Sequence, residues 1–363
     1  MSLPDYLQQC VSADTLFLTL PEPFEFESGE TIEDFVVAYQ TWGTQRGNGQ
    51  RTILICHALT GSADVDAWWP GIIGAGKAFD PDYDFVVCVN IPGSCYGTTG
   101  PAHLVPGTGH RYRADYPAVT VRDMVQVEKQ VLDFLGVDVL DVVTGPSLGG
   151  MQALEWAASY PDRVSSVIPI GVGGRHSPWC IGVSEAQRAA IAADPNWKEG
   201  YYDDASPPEK GLAAARMMAI CTYRSWDSFE ARFGRETCDD ERFQVQSYLQ
   251  HQGHRINQRF DANCYVTLTH AMHSHDLSRG RGEYHQVLSQ ITQPALVVSV
   301  SSDALYPPQE QAVLADCLPN AEYVTLETQH GHDGFLIETQ ALGELIREFR
   351  LGAGQKAATA GAE

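Results

Sequence analysis

Gly145-Pro146-Ser147-Leu148-Gly149-Gly150 stands between a β-branched run, Leu140-Asp-Val-Val-Thr144, and a helix-forming run, Met151-Gln-Ala-Leu-Glu-Trp-Ala-Ala158. A serine placed between a buried strand and a helix, with small residues on both sides, has the context of a G-x-S-x-G nucleophile elbow. In such an elbow the serine takes a strained strand-to-helix turn and the glycines let the backbones pass. The backbone N–H of Leu148, at the helix N-terminus, then faces developing negative charge. The bland alternative is a small-residue turn packing strand against helix, and G-x-S-x-G without context does not exclude it. The strand-turn-helix setting favours the catalytic reading.

Outward from the elbow, short apolar runs recur at 52–57, 85–90, 140–144, 164–170, 295–300 and 323–326. Continuous runs of this length, bounded by turn residues, suit strands buried on both faces of a mainly parallel sheet. Between two of them, 124–135 carries a helical stripe at Met124, Val127, Val131, Leu132 and Leu135, with Asp123 near its start and Gly136 at its end. The segments 16–20 and 35–39 predict an antiparallel start to the sheet. From Gly173 to about Ser289 the βα alternation gives way to helical, Arg- and aromatic-rich sequence, and it resumes at Gln293-Pro294-Ala295. One α/β domain (1–172 and 290–351) with an inserted helical cap (173–289) explains both the change and the return. The small, polar segment 352–363 predicts a disordered tail.

A serine nucleophile needs a base and an orienting carboxylate, and α/β-hydrolases supply them in the order Ser, Asp, His from loops that follow strands. After the run 295–300 comes Ser301-Ser302-Asp303, and after 323–326 comes His330-Gly331-His332-Asp333. Asp303 is the predicted carboxylate, although Ser-Ser-Asp is also ordinary turn sequence. His332, followed by an acidic residue and an apolar helix start, is favoured as base over His330. The run His57-Ala58-Leu59-Thr60-Gly61 closes an early strand where this fold places its second oxyanion donor, a backbone amide assigned here to Leu59.

Composition narrows the partners. Of 363 residues 44% are hydrophobic, enough for a large core, and 24 Lys and Arg against 46 Asp and Glu leave a formal charge of −22. Such a chain repels a phosphate backbone and an anionic leaflet, so neither nucleic acid nor membrane is an expected partner. An anionic substrate would need a local positive site built against the overall field. The nine cysteines are odd in number, scattered and without a C-x-x-C pair, which is neither a disulfide framework nor a zinc site. With an N-terminus lacking a basic and an apolar leader region, the expected location is the cytoplasm. His270, His273 and His275 invite a metal reading, but the segment has no ligand pair of familiar spacing, and no metal is expected.

Together these residues resemble the homoserine O-acetyltransferases of the α/β-hydrolase superfamily. The resemblance runs through Leu54-Ile-Cys-His-Ala-Leu-Thr-Gly61, Asn90-Ile-Pro-Gly-Ser-Cys-Tyr-Gly-Thr-Thr-Gly-Pro101, Tyr116-Pro-Ala-Val-Thr-Val-Arg-Asp-Met-Val125, Gly149-Gly-Met-Gln-Ala-Leu-Glu-Trp156, Thr222-Tyr-Arg-Ser225, Arg232-Phe-Gly-Arg235 and Arg259-Phe-Asp-Ala-Asn263. There are departures: the family usually has Gly-Gly-Ser-Met-Gly-Gly at the elbow, where this chain has Pro146 and Leu148, and an aspartate where His273 stands.

The resemblance implies acetyl transfer from acetyl-CoA, a co-substrate rather than a bound cofactor, to L-homoserine in methionine biosynthesis, by a ping-pong acyl-serine route and in a homodimer. It also implies that Arg216 and Tyr223 meet the homoserine carboxylate and Asp333 its ammonium, which matches the opposite charges a zwitterion demands. Without the resemblance, Arg216 reads as a helix-surface ion pair and Asp333 as an N-terminal helix charge. The alternatives are a transferase using succinyl-CoA or L-serine, an esterase of the same fold, and a non-catalytic binding protein.

Overall fold

The computed structural model describes residues 3–46 and 51–360. Eight strands form one sheet: β1 (Leu16–Thr19), β2 (Val36–Trp42), β3 (Arg51–Ile55), β4 (Asp84–Val89), β5 (Val142–Pro146), β6 (Val167–Ile170), β7 (Ala295–Val300) and β8 (Ala321–Leu326). Their order is β1-β2-β4-β3-β5-β6-β7-β8. β1 and β2 run antiparallel, with Leu16 opposite Tyr39, and β2 is antiparallel to β4. From β4 onward every neighbouring pair is parallel. β4, β5 and β7 are buried at every position, which is why they read as unbroken apolar runs: helices cover both faces of a parallel sheet. One apolar cluster, with Met124, Val131 and Trp156, lies on one face, and a second, with Trp69, Phe79 and Ile346, lies on the other.

Helix α1 (Val121–Phe134) starts three residues ahead of the first residue of its apolar stripe. Thr120 and Asp123 make a capping box: Thr120 N donates to Asp123 Oδ2 (2.7 Å) and Asp123 N to Thr120 Oγ1 (3.2 Å). α2 (Leu148–Ser159) follows the elbow directly.

The chain leaves the sheet after β6 and returns beside its own exit. His176 N donates to His275 O (2.7 Å) and Leu277 N to Gly174 O (3.1 Å). Between these two rungs lie α3 (Pro178–Ala192), α4 (Glu209–Tyr223), α5 (Trp226–Phe233), α6 (Gln244–Asn257) and α7 (Ala262–His273), with α4 packed on both α3 and α6. The next helix, α8 (Tyr284–Ser289), packs on α9 (Pro308–Cys317) of the core. The helical excursion is therefore 177–274, narrower at both ends than the segment expected from composition. Composition registers the helices but not which of them sits below the exit.

Within the segment 352–363, expected as a disordered tail, α10 continues from Thr339 to Ala360. Ala353, Gln355, Lys356, Ala357 and Ala358 are good helix formers, and once a helix is nucleated each further residue adds a bond. Residues 361–363 of that segment lie outside the described residues. Among the described residues no helix is long and apolar enough to cross a membrane.

Candidate active site

Ser147 has φ +56° and ψ −120°, a backbone conformation that a residue with a side chain adopts only under strain. The glycines around it explain how the strain is held. A Cβ on Gly149 would lie 2.0 Å from Cys56 O, one on Gly145 2.3 Å from the same oxygen, and one on Gly150 2.6 Å from Val172 Cγ1. Helix α2 thus seats directly on the end of β3, and Ser147 N donates to Ile170 O (2.9 Å) from the other side.

Asp303 follows β7 and is fully engaged. Its Oδ1 accepts from the amides of Leu305 (2.8 Å) and Tyr306 (2.9 Å), and its Oδ2 accepts from His332 Nδ1–H at 2.6 Å. That bond assigns the tautomer and leaves Nε2 as the basic nitrogen; buried, it makes no hydrogen bond, to Ser147 Oγ or to any other described group. Such contacts often close only in the substrate complex. The imidazole is packed between the rings of Tyr306 and Phe335, each with its centroid 5.2 Å away. Burial pushes the His332 pKa down, but the charge of Asp303 and its hydrogen bond, with Asp333 adding, outweigh it and hold the value above that of an ordinary histidine. His330, the competing base, is turned elsewhere: Nδ1 lies 3.4 Å from Ser228 Oγ and Nε2 3.9 Å from Glu338.

Leu59 and Leu148 are buried residues, Leu59 on the cavity wall, and among the described residues neither amide donates a hydrogen bond. Buried N–H groups are almost always paired, so two orphans flanking a serine are what an oxyanion site leaves open for its ligand. Gln152 of α2 ties the two loops together, donating through Nε2 to Leu148 O (3.0 Å) and His57 O (3.3 Å).

Ser147, His332, Leu59, Arg216, Tyr223 and Asp333 all line one cavity of about 410 Å³ beneath the cap. Arg216 and Tyr223 share a face of α4, with the guanidinium 5.5 Å from the ring centroid, and the Tyr223 ring centroid lies 5.8 Å from that of His332. One guanidinium nitrogen of Arg216 is buried without a partner. Asp333 carries a partner not foreseen: Arg224 Nε lies 3.1 Å from its Oδ2. Burial raises the Asp333 pKa, and Arg224 and Arg216 pull it back. Gly331 makes the approach possible. Its φ is +68°, and a Cβ there would lie 2.7–2.8 Å from the backbone of Tyr223, Arg224 and Ser225. The end of α4 is thereby docked on the His332 loop, and Ser225 Oγ donates to Gln329 O. Arg224 stood within a quoted motif, but only the contact across the cap gives it a role.

The three histidines of 270–275 do not converge. His275 pairs through Nε2 with Gly173 O (2.8 Å), while His273 Nε2 lies 3.5 Å from Arg188. Among the described residues no group of three or more His, Cys, Asp or Glu is arranged to hold a metal.

Strand order, elbow and the Asp–His pair are those of the α/β-hydrolase fold, and residues 51–339 match the family of that description. Within it, the chain belongs to the homoserine O-acetyltransferase family. It is 54% identical over 343 residues to the homoserine O-acetyltransferase of Nostoc punctiforme, covering 93% of this chain and 96% of that one. To the protein of that name in Chloroherpeton thalassium it is 53% identical, covering 93% and 90%. Among solved structures, esterase E22 superposes with a TM-score of 0.86 at 28% identity, covering 93% of this chain and 99% of that one. The homoserine O-acetyltransferase of Bacillus anthracis does so with 0.85 at 26%, covering 93% and 96%.

Proposed function

We propose that this chain moves the acetyl group of acetyl-CoA to the hydroxyl of L-homoserine through an acetyl-Ser147 intermediate, giving O-acetyl-L-homoserine and CoA for methionine biosynthesis. The observation that carries the proposal is the placement of Arg216 and Asp333 in the same cavity as Ser147 and His332, with Arg224 beside Asp333. A site for a zwitterion's two charges stands beside a nucleophile.

In the first half, His332 Nε2 takes the Ser147 proton, Oγ attacks the thioester carbon, and the oxyanion is held by the amides of Leu59 and Leu148. Collapse breaks the C–S bond, and the CoA sulfur leaves with the proton returned by His332. In the second half, Arg216 and Tyr223 receive the homoserine carboxylate and Asp333 its ammonium. His332 takes the hydroxyl proton, the oxygen attacks the acetyl-serine, and Ser147 leaves as it regains a proton. No permanently bound cofactor is called for. Water competes with homoserine for the acetyl-enzyme, and the cap over the cavity is what must exclude it.

Esterase E22 has a closely similar fold, which gives an esterase reading a definite basis. CoA release from acetyl-CoA, measured with and without homoserine, separates the two. Release that rises steeply with homoserine and yields its O-acetyl ester supports the transferase; equal release with acetate as product sinks it. Repeating the assay with succinyl-CoA and with L-serine fixes donor and acceptor. A homodimer in the cytoplasm belongs to the same proposal: Trp226 (75% exposed), Trp179 and Met218 leave apolar surface on the cap, and all nine cysteines are unpaired.

A further inference from the structure

The turn that carries the Leu59 amide is held from two sides, and only one of them belongs to the sheet domain. Gly61 N donates to Ala58 O (2.8 Å), closing a four-residue turn with Leu59 and Thr60 at its centre. On the near side Gln152 holds His57 O, as described. On the far side is Arg259, in the cap segment between α6 and α7. Its Nη1 donates to Thr60 O (2.8 Å) and to Tyr96 Oη (2.7 Å), and its Nη2 reaches Thr60 Oγ1 (3.4 Å). Phe260, the next residue, is fully buried with its ring edge-on to Tyr96, so the base of the arginine is anchored.

The charge of Arg259, like those of Arg216 and Arg255 in the same cavity, has no carboxylate paired with it among the described residues. Its donors go to a carbonyl, a phenol and a hydroxyl. A guanidinium is always charged. In a chain of formal charge −22 this one lines the cavity of Ser147 with its charge uncompensated by any such partner.

We infer that Arg259 is a positioning residue for acyl transfer: from the cap it holds the Thr60 end of the turn so that the Leu59 amide stays aimed at the oxyanion, and its charge adds to the field there. The inference rests on the assignment of Leu59 as an oxyanion donor. It links cap seating to chemistry, because a cap that lifts takes with it one of the two restraints on the donor loop. Preorganised donors act at no reorganisation cost, whereas a loosened turn must be ordered again in each transition state.

The test uses p-nitrophenyl acetate, which acetylates a serine nucleophile without CoA or homoserine, so its result does not depend on the natural donor or acceptor. Arg259→Gln is expected to slow the acylation burst by on the order of 10–100-fold. Arg259→Lys, which keeps the charge and part of the hydrogen bonding, is expected to recover part of the loss. The homoserine KM in the full reaction should move less than about threefold, since the acceptor contacts are elsewhere. Wild-type burst rates in Arg259→Gln with only a lower Tm would make the residue a bolt between cap and core and overturn the proposal. Unchanged acylation with a raised homoserine KM would make it an acceptor ligand and overturn it equally. If Arg259→Gln does not fold, Tyr96→Phe, which removes one partner of Nη1 and leaves the arginine in place, should slow the burst several-fold; no effect there counts against the idea. A wild-type enzyme that releases p-nitrophenol no faster than Ser147→Ala overturns the Ser147 reading itself, and the inference falls with it by a separate route.

Discussion

Arg224 Nε lies 3.1 Å from Asp333 Oδ2, so the carboxylate assigned to the substrate ammonium already has a protein cation beside it. Burial raises the pKa of Asp333 and the Arg224 charge pulls it back, and the pair locks the end of α4 to the His332 loop. Arg224→Ala should therefore lower kcat/KM for homoserine by about 10–100-fold, the loss expected for one partly buried charge-assisted contact worth roughly 1.5–3 kcal/mol. Arg216→Ala should act on the same parameter, while acylation of Ser147 by acetyl-CoA survives in both. Unaltered homoserine kinetics in Arg216→Ala would mean that the acceptor site lies elsewhere.

Replacing the nucleophile separates chemistry from strain. Ser147→Ala should abolish transfer, by at least ~10³-fold, with the fold retained, because only the hydroxyl is lost. Ser147→Gly should be equally inactive yet more stable, by about 1 kcal/mol, since glycine takes φ +56° without strain. Thermal melts of the two variants read the difference directly. A glycine variant less stable than the alanine one would show that the elbow stores no strain.

The elbow and the order of Ser147, Asp303 and His332 were legible because each is a local event: a strand, a turn of small residues, then a helix. The competition between His330 and His332 was not settled by local pattern alone; the bond to Asp303, 29 residues away, decides it. Arg224 with Asp333, Gly331 under the end of α4, and Arg259 on Thr60 were invisible as relationships. Each spans about a hundred residues or more and exists only once the cap is seated. The cap's limits were blurred for a related reason: α8 has helical sequence like the helices before it, and only the rungs at Gly174 and His176 show where the excursion ends. In the tail, polarity suggested disorder while helix propensity carried α10 on to Ala360.

The raised pKa of His332 sets the acid limb of activity. The base must be neutral, so kcat/KM should fall as pH drops through a value above 6.5, the ordinary histidine figure. Asp303→Asn removes the charge that holds it there; the limb should move to lower pH and kcat should fall on the order of 10⁴-fold as the tautomer is lost. The stability sign runs the same way. A histidine raised by its partner contributes fully below its unfolded pKa and loses that contribution as pH rises through the folded one. Asp303→Asn should then cost more stability near pH 6 than near pH 8. An acid limb that does not move in the variant would detach His332 from the observed titration.

A second titration lies behind the elbow. Glu128 of α1 is fully buried, accepts a hydrogen bond from Trp156 Nε1 at 2.6 Å, and leaves Oε1 without a partner. Burial pushes its pKa up to about 8, with the hydrogen bond from Trp156 pulling it back. The folded protein therefore keeps this proton up to about pH 8, whereas an unfolded chain releases it near 4.5. Between those values the native state binds more protons than the unfolded one, so stability falls as pH rises, with a slope of up to about 1.4 kcal/mol per pH unit from this group. Glu128→Gln keeps an acceptor for Trp156 and has nothing to ionise. Its unfolding free energy relative to wild type, from denaturant titrations near pH 5 and near pH 8, should improve with pH by a few kcal/mol. Parallel profiles for the two proteins would show that Glu128 is already ionised in the fold, with solvent or a cation reaching Oε1.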